Sequence, residues 1–108
     1  MVDIKTLDIY ESISDFIRRV NKNYLLQKAF LFGSFAKGNF TDESDIDIAL
    51  ISANFIGNRF IGNVNVGVLT WGINTRIEPV AFRPEDFNAD NMLAAEIISN
   101  GIEIPIVD

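Results

Sequence analysis

Residues 33–47 read Gly33-Ser34-Phe35-Ala36-Lys37-Gly38-Asn39-Phe40-Thr41-Asp42-Glu43-Ser44-Asp45-Ile46-Asp47. The apolar run Lys28-Ala29-Phe30-Leu31-Phe32 leads into this stretch, and Ile48-Ala49-Leu50-Ile51 leads out of it. A short apolar run stopped by glycine is the pattern of a buried strand entering a turn. The second run begins in alternation and then becomes continuously apolar, so residues 45–51 are expected as a central strand. Lys37 to Ser44 then form the connecting loop, with a helical turn at its start.

The chemistry of this segment follows from its residue types. Gly33 can take a positive φ and lets an anion approach the backbone. Ser34 can offer both its hydroxyl and its amide to a phosphate, and a helix starting here adds the partial positive charge of its first amides. Lys37 places a cation within reach of the same anion, or else is solvated in the loop. On a strand Asp45 and Asp47 share a face, with Cα atoms roughly 6.5–7 Å apart. Two carboxylates so placed can converge on one Mg²⁺ or bridge two metal ions, and magnesium completes its shell with water and phosphate oxygens. Burying such charges unpaired would cost several kcal/mol. A Gly-Ser pair alone is an ordinary turn, and Asp-x-Asp alone can sit exposed on an edge strand. The two together, ten residues apart, point to phosphoryl or nucleotidyl transfer. Asp42 and Glu43 are expected in solvent, and Phe35 and Phe40 as anchors that pack the loop down.

Composition narrows the alternatives. The chain has 108 residues, 48% hydrophobic and 22% charged, which predicts one globular domain over residues 1–108 with a substantial core. Fifteen acidic against nine basic residues give a net charge of −6, and Arg18-Arg19 is the one adjacent basic pair. A protein that reads long nucleic acids through their phosphates carries a basic stripe, so direct nucleic-acid binding is not expected. With no cysteine and no histidine, thiolate and imidazole metal sites and histidine-based triads are excluded. Any metal must be held by oxygen. The N-terminus turns polar at once and no apolar stretch approaches the roughly 20 residues of a membrane span, so a cytoplasmic location without membrane contact is expected.

The remaining segments fall into familiar periods. Ile9, Ile13, Phe16, Ile17 and Val20 mark one face of a helix over 7–22, with Thr6 as its cap and Asn21 or Asn23 as its stop. Residues 53–74 carry glycine at 57, 62, 67 and 72. Val64, Val66 and Val68 alternate like a strand there, while Val64, Val68 and Trp71 fit one helical face behind an Asn63 cap. A weak helix over 63–72 is expected, since each interior glycine costs about 1 kcal/mol. Arg76 to Phe82 is expected as a strand at a sheet edge, because Pro79 lacks a ladder donor. Pro84 with Glu85 and Asp86 opens a helical turn. A last helix over 91–99 should bury Met92, Leu93, Ile97 and Ile98 and stop at Asn100-Gly101, and Ile102-Glu103-Ile104 can add a short strand. The class is α/β or α+β.

Gly33-Ser34, ten intervening residues and Asp45-Ile46-Asp47 together resemble the signature of the nucleotidyltransferase superfamily typified by DNA polymerase β. Within it the chain is similar to the minimal nucleotidyltransferases of bacteria and archaea. That likeness continues through Arg76-Ile77-Glu78-Pro79-Val80-Ala81-Phe82, Pro84-Glu85-Asp86-Phe87 and Gly101-Ile102-Glu103-Ile104. It implies a small mixed sheet flanked by helices, and Mg²⁺-dependent transfer of a nucleoside monophosphate, AMP from ATP or its counterpart from another NTP, to a hydroxyl. It assigns catalysis and metal binding to Asp45, Asp47 and Glu78, and nucleotide binding to Gly33, Ser34 and Lys37. Glu78 stands where the superfamily more often has aspartate, a departure of one methylene; its alternative is a surface ion pair with Arg76.

Larger relatives carry a helical domain that grips the acceptor, so the resemblance implies that a partner or dimer mate supplies this part. Many minimal nucleotidyltransferases act as antitoxins beside a helical HEPN ribonuclease toxin, and some transfer AMP to a tyrosine of it. The expected function is therefore adenylyl transfer to a HEPN partner. The alternatives are transfer to a small molecule such as an aminoglycoside by a homodimer, or a binding subunit that neutralises its partner without catalysis.

Overall fold

Ile13, Phe16, Ile17 and Val20 lie on one side of a helix, and all four are fully buried. Burying that side is what holds Tyr10–Tyr24 helical (α1). The computed structural model describes residues 3–106, apart from the side chains of 59 and 60. The helix begins three residues later than the periodicity predicts. Ile4–Thr6 instead forms a 3₁₀ turn capped by Asp3, and the Thr6 hydroxyl donates to the Asp3 carbonyl at 2.8 Å rather than capping α1. The helix runs past the expected stops at Asn21 and Asn23 and ends at Tyr24, where Leu25 takes φ 53° and the Asn21 side-chain oxygen accepts from the Leu26 amide.

Four strands follow: Lys28–Phe32 (β1), Ile46–Ile51 (β2), Ile77–Phe82 (β3) and Ile102–Glu103 (β4). Between them come the single turn Ser34–Lys37 (α2), the helix Arg59–Gly67 (α3) and the helix Met92–Asn100 (α4). The sheet order is β3-β2-β1-β4. β1 runs antiparallel to β2 and β4, whereas β2 and β3 are parallel, so the sheet is mixed and the class is α+β.

Strand alternation divides the core in two. Ala29, Leu31, Ile46, Ile48, Leu50, Ile77 and Ala81 face α1, joined by Val66 of α3. Ala49, Ile51 and Phe82 face Ala94 and Ile97 of α4, with Phe30, Phe32, Val80, Phe87 and Leu93 around them. The register Phe32↔Asp47↔Glu78 puts these three side chains on the α4 face at the end of the sheet.

As expected, β3 is an edge strand. Its outward positions are 77, 79 and 81. The Ile77 amide donates to the Asn74 carbonyl at 3.2 Å, Pro79 has no donor, and the Ala81 amide donates to Asn63 Oδ1 at 2.7 Å. The edge is thereby closed to further strand pairing. Asn63→Ala should cost about 1–2 kcal/mol in chemical denaturation by orphaning the Ala81 amide, and Asn63→Asp, which keeps an acceptor, should recover most of it.

Two helices depart from the expectation. α3 starts at Arg59 under an Asn58 cap, with Asn58 Oδ1 accepting from the Ile61 amide, and gives way to a 3₁₀ turn over Val68–Thr70. Its apolar face is also the opposite of the one anticipated. Val64, Val68 and Trp71 are exposed, whereas Gly62 sits against the sheet, where a Cβ would come within 3.1 Å of the Ala81 Cβ. Close approach by glycine, and the Asn63 bond to β3, decide which side turns inward. In α4, Met92 and Ile98 stand in solvent and the buried positions are Ala94 and Ile97. Met92 is the first helical residue, immediately after the Asn91 cap, so it projects beyond the sheet it was expected to cover.

Candidate active site

The turn after β1 is built around a glycine that no other residue can replace. Gly33 has φ 71° and ψ −149°, a region essentially restricted to glycine. A Cβ added there would overlap the Asp47 carboxylate. The carboxylate is thus seated directly on the Gly33 backbone, and whatever Asp47 holds lies beside the first amides of the turn. Ser34 opens α2, which is a single turn. Its contribution to an anion is therefore local amides and a hydroxyl rather than a long helix dipole.

β2 begins at Ile46, so Asp45 sits immediately before the strand and is exposed. Asp47 is within it and half-buried, and Glu78 is its direct partner on the parallel neighbour β3. Partial burial disfavours the ionised form of Asp47, and the negative charges of Glu78 and Asp45 add to this, pushing its carboxyl up from 3.8 to about 6. The three carboxylates therefore share one electrostatic site. Among the described residues, no group of three or more acidic side chains forms a ready metal cluster. The geometry is that of Asp47 and Glu78 in register, with Asp45 at the mouth. Crowded carboxylates match a hard divalent ion, which takes few protein oxygens and fills its shell with water and phosphate. On this donor chemistry the residues fit Mg²⁺.

Lys37 stands apart from that group. Its Nζ lies 3.8 Å from Glu96 Oε1 on α4, both side chains about half exposed. Glu96 carries no motif, and the packing of α4 over the sheet brings it beside Lys37. Arg76 does not pair with Glu78. Its Nε donates to the Ser44 carbonyl at 3.0 Å and its Nη2 to the Thr41 carbonyl at 3.3 Å. The guanidinium lies 5.6 Å from the centre of the Phe35 ring, and Phe35 stacks on Phe40 at 4.4 Å. Ser44 Oγ accepts from the Thr41 amide at 2.8 Å and closes the turn just before Asp45. Phe35 and Phe40 do anchor the loop, and Asp42 and Glu43 are exposed. Arg76→Met removes two bonds to loop carbonyls and should cost about 1–2 kcal/mol in thermal or denaturant unfolding.

The model of the polymerase β nucleotidyltransferase family matches residues 11–106. No curated protein matches the chain. The fold is similar to the crystal structure of a Sulfolobus solfataricus protein assigned as a nucleotidyltransferase. The TM-score is 0.63 over 86% of this chain and 76% of that one, at 15% sequence identity, so the likeness is one of fold.

Proposed function

The chain belongs to the polymerase β nucleotidyltransferase family, and we propose that it transfers a nucleoside monophosphate, AMP from ATP, to a hydroxyl of a partner protein. One observation carries this reading. Asp47 rests on the Gly33 turn and is flanked by Glu78 and Asp45, whose charges raise its carboxyl to about 6. Carboxylates crowded beside a phosphate-sized backbone turn serve metal-assisted chemistry on a phosphate; they do not stabilise the fold.

In this reading Asp45, Asp47 and Glu78 would hold Mg²⁺, and the ion would supply positive charge against the phosphate oxygens. The Gly33 and Ser34 amides and the Ser34 hydroxyl hold the triphosphate oxygens. Lys37, released from Glu96, adds a positive charge to them. A Glu78 carboxylate oxygen accepts the proton of the attacking hydroxyl. The acceptor oxygen bonds to the α-phosphorus, the bond to the β-phosphate bridge breaks, and pyrophosphate departs. No side chain is modified.

For the acceptor, we take up the resemblance to minimal nucleotidyltransferases and propose a helical HEPN-type ribonuclease as partner, with the chain acting as its antitoxin. The net charge of −6 argues against a nucleic-acid acceptor. The experiment is incubation with α-labelled ATP and Mg²⁺, with and without such a partner. Label should appear on a partner hydroxyl and vanish with Asp45→Asn or Asp47→Asn. Label confined to a small acceptor such as an aminoglycoside, or a tight complex with no label, would reject it.

A further inference from the structure

Outside the carboxylate site, the strongest unexplained feature is the outer face of α3. Ile61, Val64 and Val68 are 45%, 52% and 45% exposed, and Ile56 and Trp71 at its two ends are each 71% exposed. Ile61 packs beside Gly57, which joins Ile56 to the stripe. Weighting these side chains of up to about 250 Å² by their exposures leaves roughly 500 Å² of apolar surface in water. That is well over half of the about 800 Å² each partner gives to a standard interface.

From Phe60 to Thr75 the sequence contains no charged residue. Over most of its surface a chain of net charge −6 repels its own copy; that repulsion is weakest along this stretch without acidic residues, whose Trp71 end meets the Arg19 guanidinium through its bonds to the Leu69 and Trp71 carbonyls. The stripe also carries both a ridge and a notch. A Cβ at Gly67 would meet nothing within 4 Å, and Gly67, the last residue of α3, lies one turn after Val64 and just ahead of the 3₁₀ turn that leads to Trp71. A protruding side chain of a second copy can fill the gap between them. Pairing through the neighbouring strand is closed off by Pro79, Asn63 and Asn74, so the helix face is the available surface on this side.

We propose that the α3 face is the interface of a two-fold homodimer, with α3 packed against α3 of the second copy and Trp71 enclosed at each end. α3 lies on the sheet face opposite Asp47 and Glu78, so the dimer leaves the carboxylate site open. The interface is independent of the assignment of that site.

The test is light scattering on size-exclusion chromatography, with the emission of Trp71, the chain's one tryptophan, followed over a dilution series. The wild type should show a mass twice the 12.1 kDa of the chain, and its emission should move to longer wavelength on dilution. Gly67→Glu puts a better helix former where the monomer has open space. It should keep the melting temperature of the fold but raise the dissociation constant at least about 100-fold, as should Val64→Glu. A wild-type chain at 12.1 kDa across the micromolar range would overturn the proposal. So would a dimer that survives both substitutions, or an α3 face covered only in the presence of a different protein.

Discussion

Asp47→Asn should slow transfer about 10²–10³-fold while making the protein more stable at neutral pH. Asp47 would act through the ion it ligates, and losing a stabilising group of that kind from a reacting phosphate costs about 10²–10³-fold in kcat. The stability effect has the opposite sign, because the wild-type carboxyl binds its proton more tightly when folded, at about 6, than when unfolded, at 3.8. The folded state is therefore penalised in full above pH 6, and the penalty is relieved as the pH falls through 6 toward 3.8. The variant lacks it, so its advantage is complete at pH 7–8 and gone near pH 4. Two pKa units correspond to about 3 kcal/mol, and solvent on the open side of the carboxylate reduces this to about 1 kcal/mol. Denaturant unfolding at pH 7.5 and pH 4 measures the difference. Added Mg²⁺ should stabilise the wild type and leave Asp47→Asn unmoved. A variant no more stable at pH 7.5 than at pH 4, relative to wild type, contradicts this account.

The second large effect is expected at Gly33→Ala. Alanine is strained at φ 71° and ψ −149°, and its Cβ meets the Asp47 carboxylate. A loss of about 2–4 kcal/mol follows from the backbone conformation together with the overlap. The two causes separate in a double-mutant cycle with Asp47→Ala, since the Asp47 Cβ would lie at an acceptable 3.4 Å from the new methyl. Gly33→Ala should cost about 1–2 kcal/mol less in the Asp47→Ala background. Additive losses would mean that the carboxylate does not rest on the turn.

How much of this was legible in the sequence depends on whether a neighbour in sequence or in space decides each feature. The core face of α1 follows from the spacing of Ile13, Phe16, Ile17 and Val20 alone. The end of β1 at Gly33 follows from the positive φ that glycine accepts, and the edge placement of β3 follows from the ladder donor that Pro79 lacks. The orientation of α3 does not, because it is set by the approach of Gly62 to Ala81 and by the Asn63 bond to the Ala81 amide, residues 18 apart. The spacing of Val64 and Val68 marks the side that faces water. Met92 is as apolar as its buried neighbours, yet at the first position of α4 it is 91% exposed. In the site, Asp45-Ile46-Asp47 stood out from spacing. The contact of Gly33 with Asp47, the parallel register that pairs Asp47 with Glu78, and the reach of Glu96 to Lys37 all require the sheet and α4 to be assembled.

The central claim is that a nucleoside triphosphate with Mg²⁺ binds between the Gly33-Ser34 turn and the carboxylates. The most direct measurement is an amide NMR titration of the labelled chain with Mg²⁺ and a non-hydrolysable ATP analogue. The largest shifts should fall on Gly33, Ser34, Asp47 and Glu78 and should disappear in Asp47→Asn. Shifts centred instead on Arg18, Arg19 and Lys22 of α1, with Gly33 and Ser34 unmoved, would contradict it.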